Sequence, residues 1–122
     1  MSKNYNYQNH FNISEAMQIH NTIMPGPKFT LLDYNILCLV KSFYAAGNSF
    51  YMSNDQLANL FFSCEKTVRT SINRLCSFGL LDKENIENNR LKGRYLIYKH
   101  ENVERFINEM SFAGKPPDAT SR

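Results

Sequence analysis

No apolar run in this 122-residue chain approaches the roughly 20 residues needed to span a bilayer, and the opening MSKNYNYQNH has no signal-peptide core. A membrane protein or exported precursor is therefore not expected, and a cytoplasmic location is. Cysteine is scarce: Cys38, Cys64 and Cys76 are odd in number and lie in apolar stripes, so they read as reduced core thiols, not a disulfide frame. His10, His20 and His100 are scattered, with no i, i+4 pair and no neighbouring cysteine, which argues against a metal site. The chain also lacks a glycine-rich phosphate loop, a nucleophile elbow and paired carboxylates. Neither a cofactor nor catalysis is expected.

What is present suits one globular core. Hydrophobic residues make up 43% and charged residues 20%, and the length suffices to bury a core without staples. The net charge of +3 is unevenly placed. Residues 63–99 hold eight basic side chains (Lys66, Arg69, Arg74, Lys83, Arg90, Lys92, Arg94, Lys99) against four acidic ones, a balance of +4, while the remainder balances at −1. A positive excess confined to one stretch points to an anionic partner.

Residues 1–27 are expected to form an arm, Asn- and Tyr-rich at first, then a short helix over 14–24 capped by Ser14 and ended by Pro25-Gly26-Pro27. So short a helix must dock, on its own body or on a second chain. Residues 28–112 form the expected domain, and 113–122, with Pro116-Pro117, a tail or linker. Thr30 with Asp33 opens a helix to about Ala46, with Gly47 just beyond it, and this helix is apolar on almost every side. Residues 49–52 allow one very short strand. Ser53 with Gln56 opens a second helix to about residue 61, with Leu57, Ala58, Leu60 and Phe61 inward.

The next stretch, SCEKTVRTSINRLCSFG, is amphipathic. Cys64, Val68, Ile72, Leu75 and Cys76 form one apolar stripe, and Lys66, Arg69, Thr70, Asn73 and Ser77 stand opposite, flanked by Thr67, Ser71 and Arg74. Gly79 stops the helix. Two strand-like runs follow, joined by the polar tip Asn88–Gly93, and a helix over about 101–111 closes the pattern. Helix, short strand, helix, tight turn, helix and basic hairpin is the order of a winged helix-turn-helix, a mainly α fold with a small β-hairpin. A polar stripe on a helix is most often only a solvated face. Here a basic hairpin follows it and the positive balance sits in the same stretch, so a double-stranded DNA interface is expected. The recognition helix would span about 64–77, with Glu65, Lys66, Thr67, Arg69, Thr70, Asn73 and Arg74 at the DNA; Asn73 could pair with adenine. The wing, 88–94, would set Arg90, Lys92 and Arg94 on the backbone.

The stretch LANLFFSCEKTVRTSINRLCSFGLL resembles the helix-turn-helix of a broad winged-helix family through Ala58, Lys66-Thr67-Val68, Leu75, Gly79 and Leu80-Leu81. The resemblance covers about residues 29–99. It is most similar to domains at the N-terminal side of plasmid and phage replication initiators of Gram-positive bacteria, and small transcription regulators share the pattern. It implies DNA binding in replication initiation of a plasmid, phage or mobile element, with a transcription regulator as the alternative and a protein-only winged helix as a third reading. Two positions depart from the pattern. Phe62 stands where the family has its turn glycine, and Cys64 where a polar cap is usual, which suggests Ser63 as the cap. A homodimer is expected, with the N-terminal helix on the partner and two recognition helices about one DNA turn apart.

Overall fold

The computed structural model describes residues 12–87 and 92–113. Five helices and one hairpin follow in order: α1 (Ile13–Ile23), α2 (Leu31–Ala45), α3 (Asn54–Leu60), α4 (Glu65–Ser77), β1 (Leu81–Glu87), β2 (Lys92–Tyr98) and α5 (His100–Ala113). The expected class, α+β with a winged helix-turn-helix, is the fold observed. Arg90 and the rest of the expected wing tip, 88–91, lie outside the described residues, as do most of the N-terminal arm and the C-terminal tail.

Local chemistry sets most helix ends. Asn12, Thr30 and Ser53 each accept from the backbone N–H three residues on, and Glu15, Asp33 and Gln56 return the bond to the cap's own N–H. The cap of α1 is thus Asn12, not Ser14, because only Asn12 has a glutamate three residues later. At the other ends, α2, α3 and α4 close with a bond from the second residue beyond the cap to the carbonyl three residues inside the helix: Asn48 N–H to Phe43 O (2.8 Å), Ser63 N–H to Ala58 O (2.8 Å) and Leu80 N–H to Leu75 O (3.0 Å). This closure needs a left-handed residue after the cap. Gly47 (φ 79°) and Gly79 (φ 77°) supply it twice, and Phe62 (φ 54°) supplies it once.

The core gathers Ile36, Leu37 and Val40 of α2, Leu57 of α3, Val68, Ile72 and Leu75 of α4, Leu80 and Leu81, Leu96 and Tyr98 of β2, and Val103 of α5. α2 lies among α1, α4 and β2, which explains its breadth of apolar surface, although Leu31 at its start is 73% exposed. Leu60, expected inside, is 49% exposed and Phe61 half-buried. The hairpin is antiparallel, with Leu81 opposite Tyr98, Lys83 opposite Leu96 and Asn85 opposite Arg94. Phe50 adds a single bridge to Leu96, the whole of the short strand expected over 49–52.

The helix expected in the arm is bound into this core. Ile13, Ala16, Met17 and His20 are buried, and α1 packs chiefly on α5. The His20 ring meets Phe29 (4.9 Å) and Phe78 (5.0 Å) edge-on, joining α1 to the ends of two other elements. The Pro-Gly-Pro loop is stitched back by Asn21, whose amide donates to Phe29 O and accepts from Phe29 N–H, both at 2.8 Å. The inward face of α1 is spent on its own chain, so a homodimer would have to use another surface.

Tyr98 carries a testable consequence of this packing. Its ring is 5% exposed, and its hydroxyl has no hydrogen-bond partner among the described residues. Burial, then the negative charge of Glu104, pushes its pKa up to about 12. The unfolded chain releases this proton near 10 and the folded chain near 12, so folding stability falls as pH rises through that window, and below it the titration of Tyr98 has no effect. Tyr98→Phe should flatten the loss in a series of denaturant midpoints from pH 9 to 12. At neutral pH it should leave stability unchanged or higher by about 1 kcal/mol, since an unpartnered buried hydroxyl disappears.

Candidate nucleic-acid interface

α3, the turn 61–64 and α4 form the helix-turn-helix. Val68, Ser71, Ile72 and Leu75 turn α4's inner face into the core. Glu65, Lys66, Thr67, Arg69, Thr70, Asn73 and Ser77 are all exposed on the other side. Seven residues expected at a surface are thus on one.

Within that face two rows differ in what surrounds them. Glu65, Arg69 and Asn73, at i, i+4 and i+8, border the hairpin; Arg69 and Asn73 open on a cleft of about 440 Å³ shared with Asn54, Ile72, Lys83, Asn85 and Arg94. Lys66 and Thr70 form the second row, and the Thr70 hydroxyl donates to Lys66 O at 3.1 Å, so its proton is already used. Asn73 accepts from Lys83 Nζ at 3.0 Å. An ammonium has donors only, so the amide oxygen of Asn73 must face Lys83 and its NH₂ must face elsewhere. Lys83, Asn54 and Asn85 were not among the expected site residues. Alternation along β1 was the available signal for two of them: it places Lys83 and Asn85 on the same face as the buried Leu81.

Two of the expected arginines are engaged inside the protein. Arg74 Nη1 donates to both carboxylate oxygens of Asp33, at 2.9 and 2.8 Å, and Asp33 is fully buried. Arg74 therefore fastens α4 to the first turn of α2 instead of facing outward. Arg94 Nη1 donates to Met52 O at 2.6 Å, and its Nη2 donates to Asn54 Oδ1. Burial pulls the Arg94 guanidinium below its ordinary pKa, yet it stays a cation, and it roots the hairpin on the start of α3. Lys92 begins β2 opposite Glu87.

The turn resolves the two departures noted in the sequence. Cys64, not Ser63, is the N-cap of α4, and its side chain makes no capping bond. The thiol is exposed, unlike the core thiol expected; Cys38 and Cys76 are half-buried. Sγ lies 3.1 Å from Thr67 Oγ1, and that hydroxyl holds the thiol below its usual pKa. Phe62 keeps the glycine's conformation without being glycine. For a residue with a Cβ this costs on the order of 1–2 kcal/mol. Nothing inside the fold offsets it, since Phe62 is 96% exposed.

Among the described residues no helix is long and apolar enough to cross a membrane. The sequence matches no protein-family model and no curated protein. The fold, in contrast, has solved counterparts. The transcriptional regulator BldR from Sulfolobus solfataricus superposes with a TM-score of 0.52 at 17% identity, over 83% of this chain and 66% of that one. RV1404 from Mycobacterium tuberculosis superposes at 0.50 with 13% identity, over 83% of this chain and 64% of that one. This chain thus spans slightly less than two-thirds of either structure, and at such identities the likeness is one of fold.

Proposed function

We propose that this chain is a winged-helix transcription regulator that binds duplex DNA, without catalytic activity, inserting α4 into the major groove with the hairpin beside it. The observation that carries the reading is the division of α4 into a fully buried face and an exposed face of Lys66, Arg69, Thr70 and Asn73, with Lys83 of the hairpin adjoining. A major groove admits one helix, and these side chains donate to base edges and phosphates. Regulation takes precedence over replication initiation because BldR is named a transcriptional regulator, and the replication reading rests on the sequence resemblance alone. The arms flanking the domain, 1–27 and 113–122, are proposed to lie outside the DNA-reading unit, though α1 is packed against it. Lys66, Arg69, Glu65, Thr67, Thr70 and Asn73 are the proposed DNA contacts on α4, with Lys92 and Arg90 on the backbone.

Selection of bound sequences from a random duplex pool, followed by titration of the winner at several salt concentrations, tests this. Each phosphate contact contributes about −0.9 to the slope of log affinity on log salt. Lys66, Arg90 and Lys92 alone would give a slope near −3. A flat slope with no enriched sequence would overturn the DNA reading in favour of a protein-binding winged helix.

A further inference from the structure

The turn before α4 holds an anomaly that DNA binding by the row of polar side chains does not use. Three helices end in the same closure, and two of them place glycine at the left-handed position. The third places Phe62 there, with φ 54° and 96% of its surface in solvent. Among the described residues no aromatic ring packs on it, and it takes no part in the core. A strained, exposed, fully apolar side chain has no role within its own fold, and strain of this kind collects at functional sites.

Its position suggests the role. Phe62 is two residues ahead of Cys64, the cap of α4, so its Cα lies within about 8 Å of the helix start. The N-terminal turn is the part of a recognition helix that meets base edges. A side chain there that cannot donate or accept has one apolar feature to meet in the major groove, the 5-methyl group of thymine. Lys66, exposed in the first turn of α4, supplies the cation that would hold the neighbouring backbone close.

We propose that Phe62 is a specificity-determining residue, reading a thymine methyl at the edge of the site bound by α4. The inference rests on the DNA-binding reading and extends it to the turn. Phe62→Gly is the informative variant, because glycine adopts this conformation freely and the protein should fold at least as well, with a denaturant midpoint equal to or above that of the wild type. The duplex selected by the wild-type protein is prepared with thymine and, position by position, with deoxyuridine, which lacks only the methyl group. The wild type should lose about tenfold in affinity at one deoxyuridine position. Phe62→Gly should bind the thymine duplex about tenfold more weakly and be indifferent to deoxyuridine at that position. If Phe62→Gly binds as the wild type does, or if both proteins respond equally to every deoxyuridine, the proposal falls while DNA binding stands. If the wild type enriches no sequence and shows no salt dependence, the DNA reading fails and takes this inference with it.

Discussion

Replacing Arg74 with methionine is expected to destabilise the protein by about 3–5 kcal/mol, a large share of a small domain's total. Methionine keeps much of the arginine stem's bulk, so the loss reports the charge. Asp33 is fully buried and both its oxygens face the Arg74 guanidinium, with one also accepting from Thr30 N–H. Without the arginine, a carboxylate remains in the core with one backbone donor, and it must either stay charged at high cost or take up a proton. The reverse deletion, Asp33→Ala, leaves a guanidinium whose side chain is 20% exposed and can turn to water. It should cost less through charge, and something more through the lost capping box of α2. The double variant should be more stable than the two single losses added together. Denaturant unfolding with an unchanged m-value measures all three; a loss under about 1 kcal/mol for Arg74→Met would reduce the pair to an ordinary surface contact.

The second large effect is expected at the outer face of α4. Arg69→Ala and Asn73→Ala should each weaken binding to a selected duplex by about 1–3 kcal/mol and relax base preference at the position each reads. Folding should be nearly unaffected, since both side chains are exposed. The two are one helical turn apart, and Asn73 is tied to Lys83, so the double variant should depart from additivity. Lys83→Met belongs in the series: it frees the Asn73 amide to turn, and its effect should be concentrated at Asn73's position. Titrations against the selected duplex and a scrambled one read these outcomes. Unchanged affinity and preference in both single variants would remove α4 from the groove.

How much of this was legible in the sequence depended on the range of the interaction. Helix starts at Thr30 and Ser53 follow from partners three residues away, and the stops at Gly47 and Gly79 from one residue's backbone freedom. The inner stripe of α4 follows from its period, and with the hairpin these elements spell out the winged helix. Charge alone, however, does not say where an arginine points. Arg74 and Arg94 reach partners 40 or more residues away, and neither a helical wheel for the first nor strand alternation for the second shows those partners. Cys64 was misplaced for a related reason: the apolar stripe extends to it by period, but the helix has not yet begun there. Glu15 three residues after Asn12 was a readable signal, obscured by a second plausible cap at Ser14. The docking of α1 on α5 joins the two ends of the described chain, and no local pattern announces it.

That last contact bears on how the protein is made. Synthesis runs from the N-terminus at about 5–20 residues per second, so α1 leaves the ribosome on the order of ten seconds before α5 is complete. During that interval Ile13 and Met17 have no finished surface to land on, because the helix they cover has not been translated. α2, α3 and α4 can gather around Leu37, Leu57 and Leu75 in the meantime. The first described helix is therefore expected to be among the last to find its place, with its apolar face open to chaperones and proteases until α5 arrives.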